Sequence, residues 1–331
     1  MEEHPLDVGG CRCGCALANP REDDDHKMEK ELTNCHCEEP RSGDVAISIS
    51  NRRLLRCARN DMIERDMKNL KCFLTKLTLL VVGCLLLSTL GCAPAMDCSN
   101  LQANETCTRV LFVGNSYTYV NDLPTTFVKL ARAGGHKTEV GMSAQGGWML
   151  SDHVKSSDTI AKINSEKWNF VVLQEQSEVP SIQSSRTQEM YPAARILVSD
   201  IEAVGAKPIL FITWAYRDGL PANGMPDYAS MQAQINNGYI LMAQAFNVPV
   251  TPVGVAWQNV RNQYPQINLW QDDGSHPTPE GTYLAACVFY ADIFQQSPEG
   301  LSYQANLSTD VAHALQQVAA DTVFNGQWGI P

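Results

Sequence analysis

The chain of 331 residues carries little charge, 18% Asp, Glu, Lys and Arg together, and beyond residue 109 it has no block of basic residues. With 25 basic against 36 acidic side chains and a formal charge of -11, that absence argues against a nucleic-acid partner. The imbalance is concentrated late, with 12 basic and 21 acidic residues from Cys92 onward. No internal repeat and no low-complexity linker follows residue 108, and the length accommodates at most two domains. Cysteine is scarce where most of the chain lies: beyond Cys92 only Cys98, Cys107 and Cys287 occur. Six others, Cys11, Cys13, Cys15, Cys35, Cys37 and Cys57, crowd the first sixty residues.

A long apolar run is missing as well. The best stretch, residues 77–91, has about 15 residues and falls short of the roughly 20 needed to span a bilayer. Lys68, Lys71 and Lys76 precede it and Cys92-Ala93-Pro94-Ala95 follows, so it has the three parts of a secretory signal. Gly91-Cys92 resembles a bacterial lipobox, in which Cys92 would be lipidated and become the mature N-terminus, although Thr89 stands where leucine is usual. Cleavage after residues 93–95 is the competing expectation. An N-terminal signal that begins near Met67 makes residues 1–66 read as an over-extended start, spurious or disordered. The alternative is a metal-binding appendage on Cys11, Cys13, Cys15, Cys35, His36 and Cys37, whose C-x-C spacing differs from the C-x2-C pairs of common zinc sites. The expected organisation is thus 1–66 extension, 67–95 signal region, 96–107 short lead-in and a main domain over 108–331, exported and either lipid-anchored in a bacterial envelope or secreted.

From residue 108 short apolar runs alternate with helical patterns, the signature of a parallel sheet covered on both faces. The expected strands are 109–113, 138–142, 170–173, 208–213 and 248–252. Helices are expected over 122–133, over the helical spacing from Tyr191 to Val204 with Gly205 as terminator, from Met231 to Phe246, and over 311–323. One more follows Thr278, a capping residue with Pro279 at the first helical position and Glu280 in the first turn. Together these give a three-layer αβα sandwich with a five-stranded parallel sheet, flavodoxin-like, and Cys98 and Cys107 could close the lead-in with a disulfide. In such sheets ligands bind beyond the carboxyl ends of the strands.

The first strand ends in Gly114-Asn115-Ser116, which places a serine in that crevice, although a serine there can also simply cap a helix. Near the C-terminus, Asp273 stands three residues before His276 with Gly274 between, a spacing that lets a carboxylate orient an imidazole as general base. Taken together, Gly114-Asn115-Ser116 and Asp273-x-x-His276 resemble the first and last blocks of the SGNH (GDSL-like) hydrolase superfamily, in the expected order and at the expected ends of the domain. The resemblance covers approximately residues 108–295. Ser143-Ala144-Gln145-Gly146-Gly147-Trp148 resembles the family's glycine block, with Gly147 the first choice and Gly146 the second for a backbone donor, and a plain turn glycine as the other reading. Where the family shows Gly-x-Asn-Asp, this chain has Gln174-Glu175-Gln176-Ser177, a departure that Gln176 can bridge because it keeps a side-chain amide donor.

The resemblance implies a carboxylic ester hydrolase that works through an acyl-enzyme: Ser116 as nucleophile, His276 as base, Asp273 as its orienter, and Ser116, Gly147 and Gln176 as oxyanion donors, with no metal or cofactor. Its expected substrate is an ester, with removal of short acyl groups such as acetyl from polysaccharide preferred. A lipid or aryl esterase, an acyltransferase and a catalytically silent glycan-binding module are the alternatives. Trp148, Trp214, Trp270, Tyr117 and Tyr216 fall beside the motifs and could border a substrate or belong to the core. Membrane contact is expected only through the lipid on Cys92, and the sequence does not fix an oligomeric state.

Overall fold

The computed structural model describes residues 98, 99, 101 and 105–326, all within Cys92–Pro331, the second of two units into which the chain divides. The expected extension, signal region and Cys92 lie outside the described residues. Of the lead-in, Cys98 and Cys107 are joined by a disulfide that fastens it to the first strand.

Five strands form one sheet: β1 (Cys107–Gly114), β2 (Lys137–Ala144), β3 (Phe170–Leu173), β4 (Lys207–Phe211) and β5 (Val250–Thr251), in the order β2-β1-β3-β4-β5 and parallel throughout. Val110 to Gly114 are buried without alternation, as a central strand covered on both faces requires. At the far edge β5 has two residues where five were expected. Pro249 and Pro252 flank it, and neither can donate to the ladder, although the Pro249 carbonyl still accepts from the Leu210 amide.

Eight helices of six residues or more surround the described sheet: α1 (Leu123–Ala133), α2 (Leu150–Lys155), α3 (Ser157–Ser165), α4 (Tyr191–Ala203), α5 (Tyr228–Phe246), α6 (Val253–Gln263), α7 (Pro279–Phe294) and α8 (Thr309–Asn325). The first packs with α6, α7 and α8 as one set, while α2 packs on α4 and α3 on β2. Helix α7 lies between the sheet and α8, which is why every residue from Gly281 to Ala291 is buried and the helix is apolar all round. Thr278 caps it by accepting from the Gly281 amide, and Pro279 opens it. Helices α2, α3 and α6 had no sequence expectation. The first two are short, and α6 starts two residues after a two-residue strand, so no turn separates the patterns.

Among the described residues no helix is long and apolar enough to cross a membrane, and no group of three His, Cys, Asp or Glu side chains could hold a metal.

Candidate active site

The chain leaves β1 at Gly114 and turns at once into a four-residue helix, Ser116–Tyr119, capped by Asn115. Asn115 is buried, and its side-chain oxygen accepts from the Tyr117 amide at 3.1 Å. Ser116 is the first helical residue, so its own N–H has no intrahelical acceptor and is left over for a ligand. The turn is held by Gln174, just past β3. Its Oε1 accepts from the Asn115 amide (2.8 Å) and the Thr118 hydroxyl (2.9 Å), and its Nε2 donates to Asn115 Oδ1 (2.9 Å). A side chain at Gly114 would place its Cβ 2.3 Å from Gln174 Oε1, so a larger residue there would displace the amide that holds the turn.

His276 and Asp273 reach the same serine from the far end of the sequence. Ser116 Oγ lies 2.9 Å from His276 Nε2, and His276 Nδ1 lies 2.5 Å from Asp273 Oδ2. A carboxylate only accepts, so Nδ1 carries the proton and Nε2 presents its lone pair to the serine hydroxyl. The other Asp273 oxygen accepts from the amides of Ser275 and His276, both at 2.9 Å, and Gly274 turns the loop with φ of +68°. Partial burial works against ionisation of Asp273. The bonds from the His276 ring and the two amides outweigh it and hold the carboxyl below its ordinary range. Neighbouring Asp272 is exposed and makes none of these bonds. Asn121, in a left-handed conformation, donates to the carbonyl of Pro277 and so ties the serine turn to the histidine loop.

Three of the five aromatic side chains named from sequence belong to the core. Tyr117 stacks on Trp214 at 4.3 Å, Trp214 stacks on Trp257 at 3.9 Å, and Trp270 meets Trp257 edge-on. This column supports the histidine loop directly, because Trp214 Nε1 donates to the Ser275 carbonyl and the Tyr117 hydroxyl pairs with Ser275 Oγ at 2.9 Å. Trp148 and Tyr216 are half-buried. The Tyr216 hydroxyl donates to Glu178 and meets Ser177 Oγ at 2.8 Å.

No protein-family model matches the chain, and no curated protein matches it by sequence. Solved structures do. A DUF4886 family protein from Bacteroides uniformis is 19% identical with a TM-score of 0.59, over 67% of this chain and 97% of that one, a likeness of fold. A candidate SGNH hydrolase from Slackia heliotrinireducens is 30% identical with a TM-score of 0.50, and the match covers 57% of this chain and all of that one. The chain belongs to the SGNH hydrolase superfamily.

Within this SGNH fold the two middle blocks look different from the two outer ones. Residues 145–148 form a turn, exposed over 145–147 and closed by the Trp148 amide on the Gln145 carbonyl (3.2 Å), with Gly147 in the left-handed region at φ of +73°. That conformation suits a glycine in a turn, with open space where a side chain would project. Gln176 follows β3 by three residues. Its Oε1 accepts from the amides of Glu178 (2.8 Å) and Val179 (3.2 Å), so the amide plane is fixed from its oxygen end and Nε2 is the end left to donate.

Three residues near this SGNH site carried no sequence expectation of a role. Gln174 holds the serine turn, as described. His153 is fully buried and bridges the Gly114 carbonyl (2.9 Å) and the Thr159 hydroxyl (2.9 Å), which itself meets Ser143 Oγ. Burial lowers its pKa, and because Gly114 O only accepts, the neutral Nε2–H tautomer fits. The third is Glu175. It lies beyond the end of β3 and turns into the interior, where it accepts from the Gln176 amide.

Proposed function

We propose that this SGNH protein is a carboxylic ester hydrolase that forms an acyl-enzyme on Ser116. The observation that carries the reading is the unbroken line Asp273–His276–Ser116, with hydrogen bonds of 2.5 and 2.9 Å. His276 takes the serine proton as Oγ attacks the ester carbonyl, and Asp273 stabilises the imidazolium that results. The carbonyl electrons move to oxygen, where the Ser116 amide, the Gly147 amide and Gln176 Nε2 receive the negative charge. His276 then gives its proton to the leaving alcohol, and water repeats the sequence against the acyl-enzyme.

Hydrolysis is favoured over acyl transfer by access: the His276 side chain is 35% exposed and that of Asp273 46%, so water reaches the base. Within this chemistry the substrate we propose is a carbohydrate ester that carries a short acyl group such as acetyl. Export also belongs to this reading, with lipid on Cys92. The Cys98–Cys107 disulfide supports an oxidising compartment.

Turnover of a nitrophenyl acetate and of an acetylated polysaccharide by the purified protein, with Ser116→Ala as the blank, tests the activity. Hydrolysis of the aryl ester alone would retain the chemistry and remove the carbohydrate. Mass spectrometry of the mature N-terminus tests the export reading: a diacylated Cys92 supports it, and an unmodified terminus at Met96 excludes the lipid.

A further inference from the structure

Glu175 is fully buried, yet among the described residues no cationic side chain acts on it. One carboxylate oxygen, Oε1, accepts from two backbone amides that lie in different segments: Leu150 at 3.1 Å and Gln176 at 2.7 Å. Oε2 is buried and, among the described residues, has no hydrogen-bond partner. The side chains that act on Glu175 electrostatically are Asp152, on α2, and Glu189, both acids, and the Tyr239 hydroxyl accepts from its backbone amide. Burial, aided by those acids, pushes its pKa up to about 7. A carboxyl kept under these conditions is costly unless its bonds do something an apolar residue could not.

The two amides are informative. Leu150 opens α2 immediately after Trp148 and Met149, so its amide fixes the exit of the glycine turn, whose entry is fixed by the Gln145 amide on the Gly114 carbonyl. Gln176 carries the fixed side-chain amide described above. We infer that Glu175 is a positioning residue for the oxyanion side of the site, one buried oxygen that locks the segment behind the Gly147 turn to the segment that carries Gln176. The inference rests on the ester-hydrolase reading and adds to it the element that sets the spacing of the two donors. Catalysis is sensitive to such spacing, since a misplacement of 1 Å can cost about 10^2-fold in rate.

The position of the acceptor matters in this account, and the charge does not. Glu175→Gln keeps an oxygen at the reach of both amides, whereas Glu175→Asp keeps the charge and withdraws the oxygen by one methylene. With a nitrophenyl ester at pH 8, Glu175→Gln should retain kcat within about fivefold of wild type, while Glu175→Asp and Glu175→Ala should lose about 10^2-fold with KM little changed. Amide exchange at Leu150 and Gln176 should stay slow in Glu175→Gln and accelerate in Glu175→Asp. The ranking of Gln and Asp decides the matter even if Glu175→Ala does not fold. If Glu175→Asp is the more active of the two, or if all three variants match wild type, the inference falls while a Ser116-dependent activity leaves the hydrolase reading standing. A wild type with no Ser116-dependent turnover of any ester overturns both.

Discussion

The loop that brings His276 to Ser116 and the turn that carries Gly147 are built in opposite ways. Asp273 accepts from two amides within three residues and from the ring, and the loop rests on the stacked column of Tyr117, Trp214 and Trp257. The glycine turn is exposed over residues 145–147 and is fixed at its two ends, by Gly114 and by Glu175. The Asp273 carboxylate is thus oriented mainly by bonds within three residues, whereas the glycine turn is anchored by partners distant in sequence, and the proposed mechanism assigns proton transfer to the first and charge stabilisation to the second. Mutations should therefore act in two regimes.

The largest effect belongs to the local half. Ser116→Ala should lower kcat by about 10^6 with the fold retained, measured by initial rates on an aryl ester. Next, Asp273→Asn should cost about 10^4 by favouring the wrong imidazole tautomer. Asp272→Asn should be nearly silent, because that carboxylate touches neither His276 nor its loop amides. A reversed ranking of the two would break the assignment of the local half. In the distant half, Gln176→Ala should cost about 10^2 to 10^3 in kcat with KM almost unchanged, the range for one oxyanion donor. A loss of less than threefold would move the donor elsewhere.

The smallest effect is on stability and has a definite sign. Burial raises Glu175 from 4.5 to about 7, so the folded state holds a proton that the unfolded chain has released. That contribution is fully present below the unfolded pKa and is lost as pH rises through about 7. Glu175→Gln, which never ionises, should unfold like wild type at pH 4 and be more stable at pH 8, by on the order of 3 kcal/mol at most. Equal denaturation midpoints at both pH values would show that Glu175 is not held neutral by burial.

This division also explains what could be read from the sequence. Strand β3 and the start of α7 were legible because an apolar run and a Thr-Pro cap are local signals, and Asp273-x-x-His276 is a local spacing. Gln174 and Glu175 were not, since their partners Asn115 and Leu150 stand 59 and 25 residues away and no spacing rule encodes such pairs. The one hint was compositional: two glutamines and a glutamate directly after a buried strand need polar partners in the interior, which identifies a network without naming its members. The aromatic residues were ambiguous for the same reason, because only the packing of Trp214 against Tyr117 and Trp257 separates platform from cleft lining.

The central claim is that Ser116 becomes covalently acylated. The direct measurement is peptide mass spectrometry after a rapid acid quench of the protein during turnover of a slow aryl ester. The account predicts an acyl mass increment on the peptide that contains Ser116, absent from Ser116→Ala and trapped more heavily when deacylation is slowed. Turnover that persists in Ser116→Ala above a tenth of the wild-type rate, or an increment that maps to another residue, would contradict it.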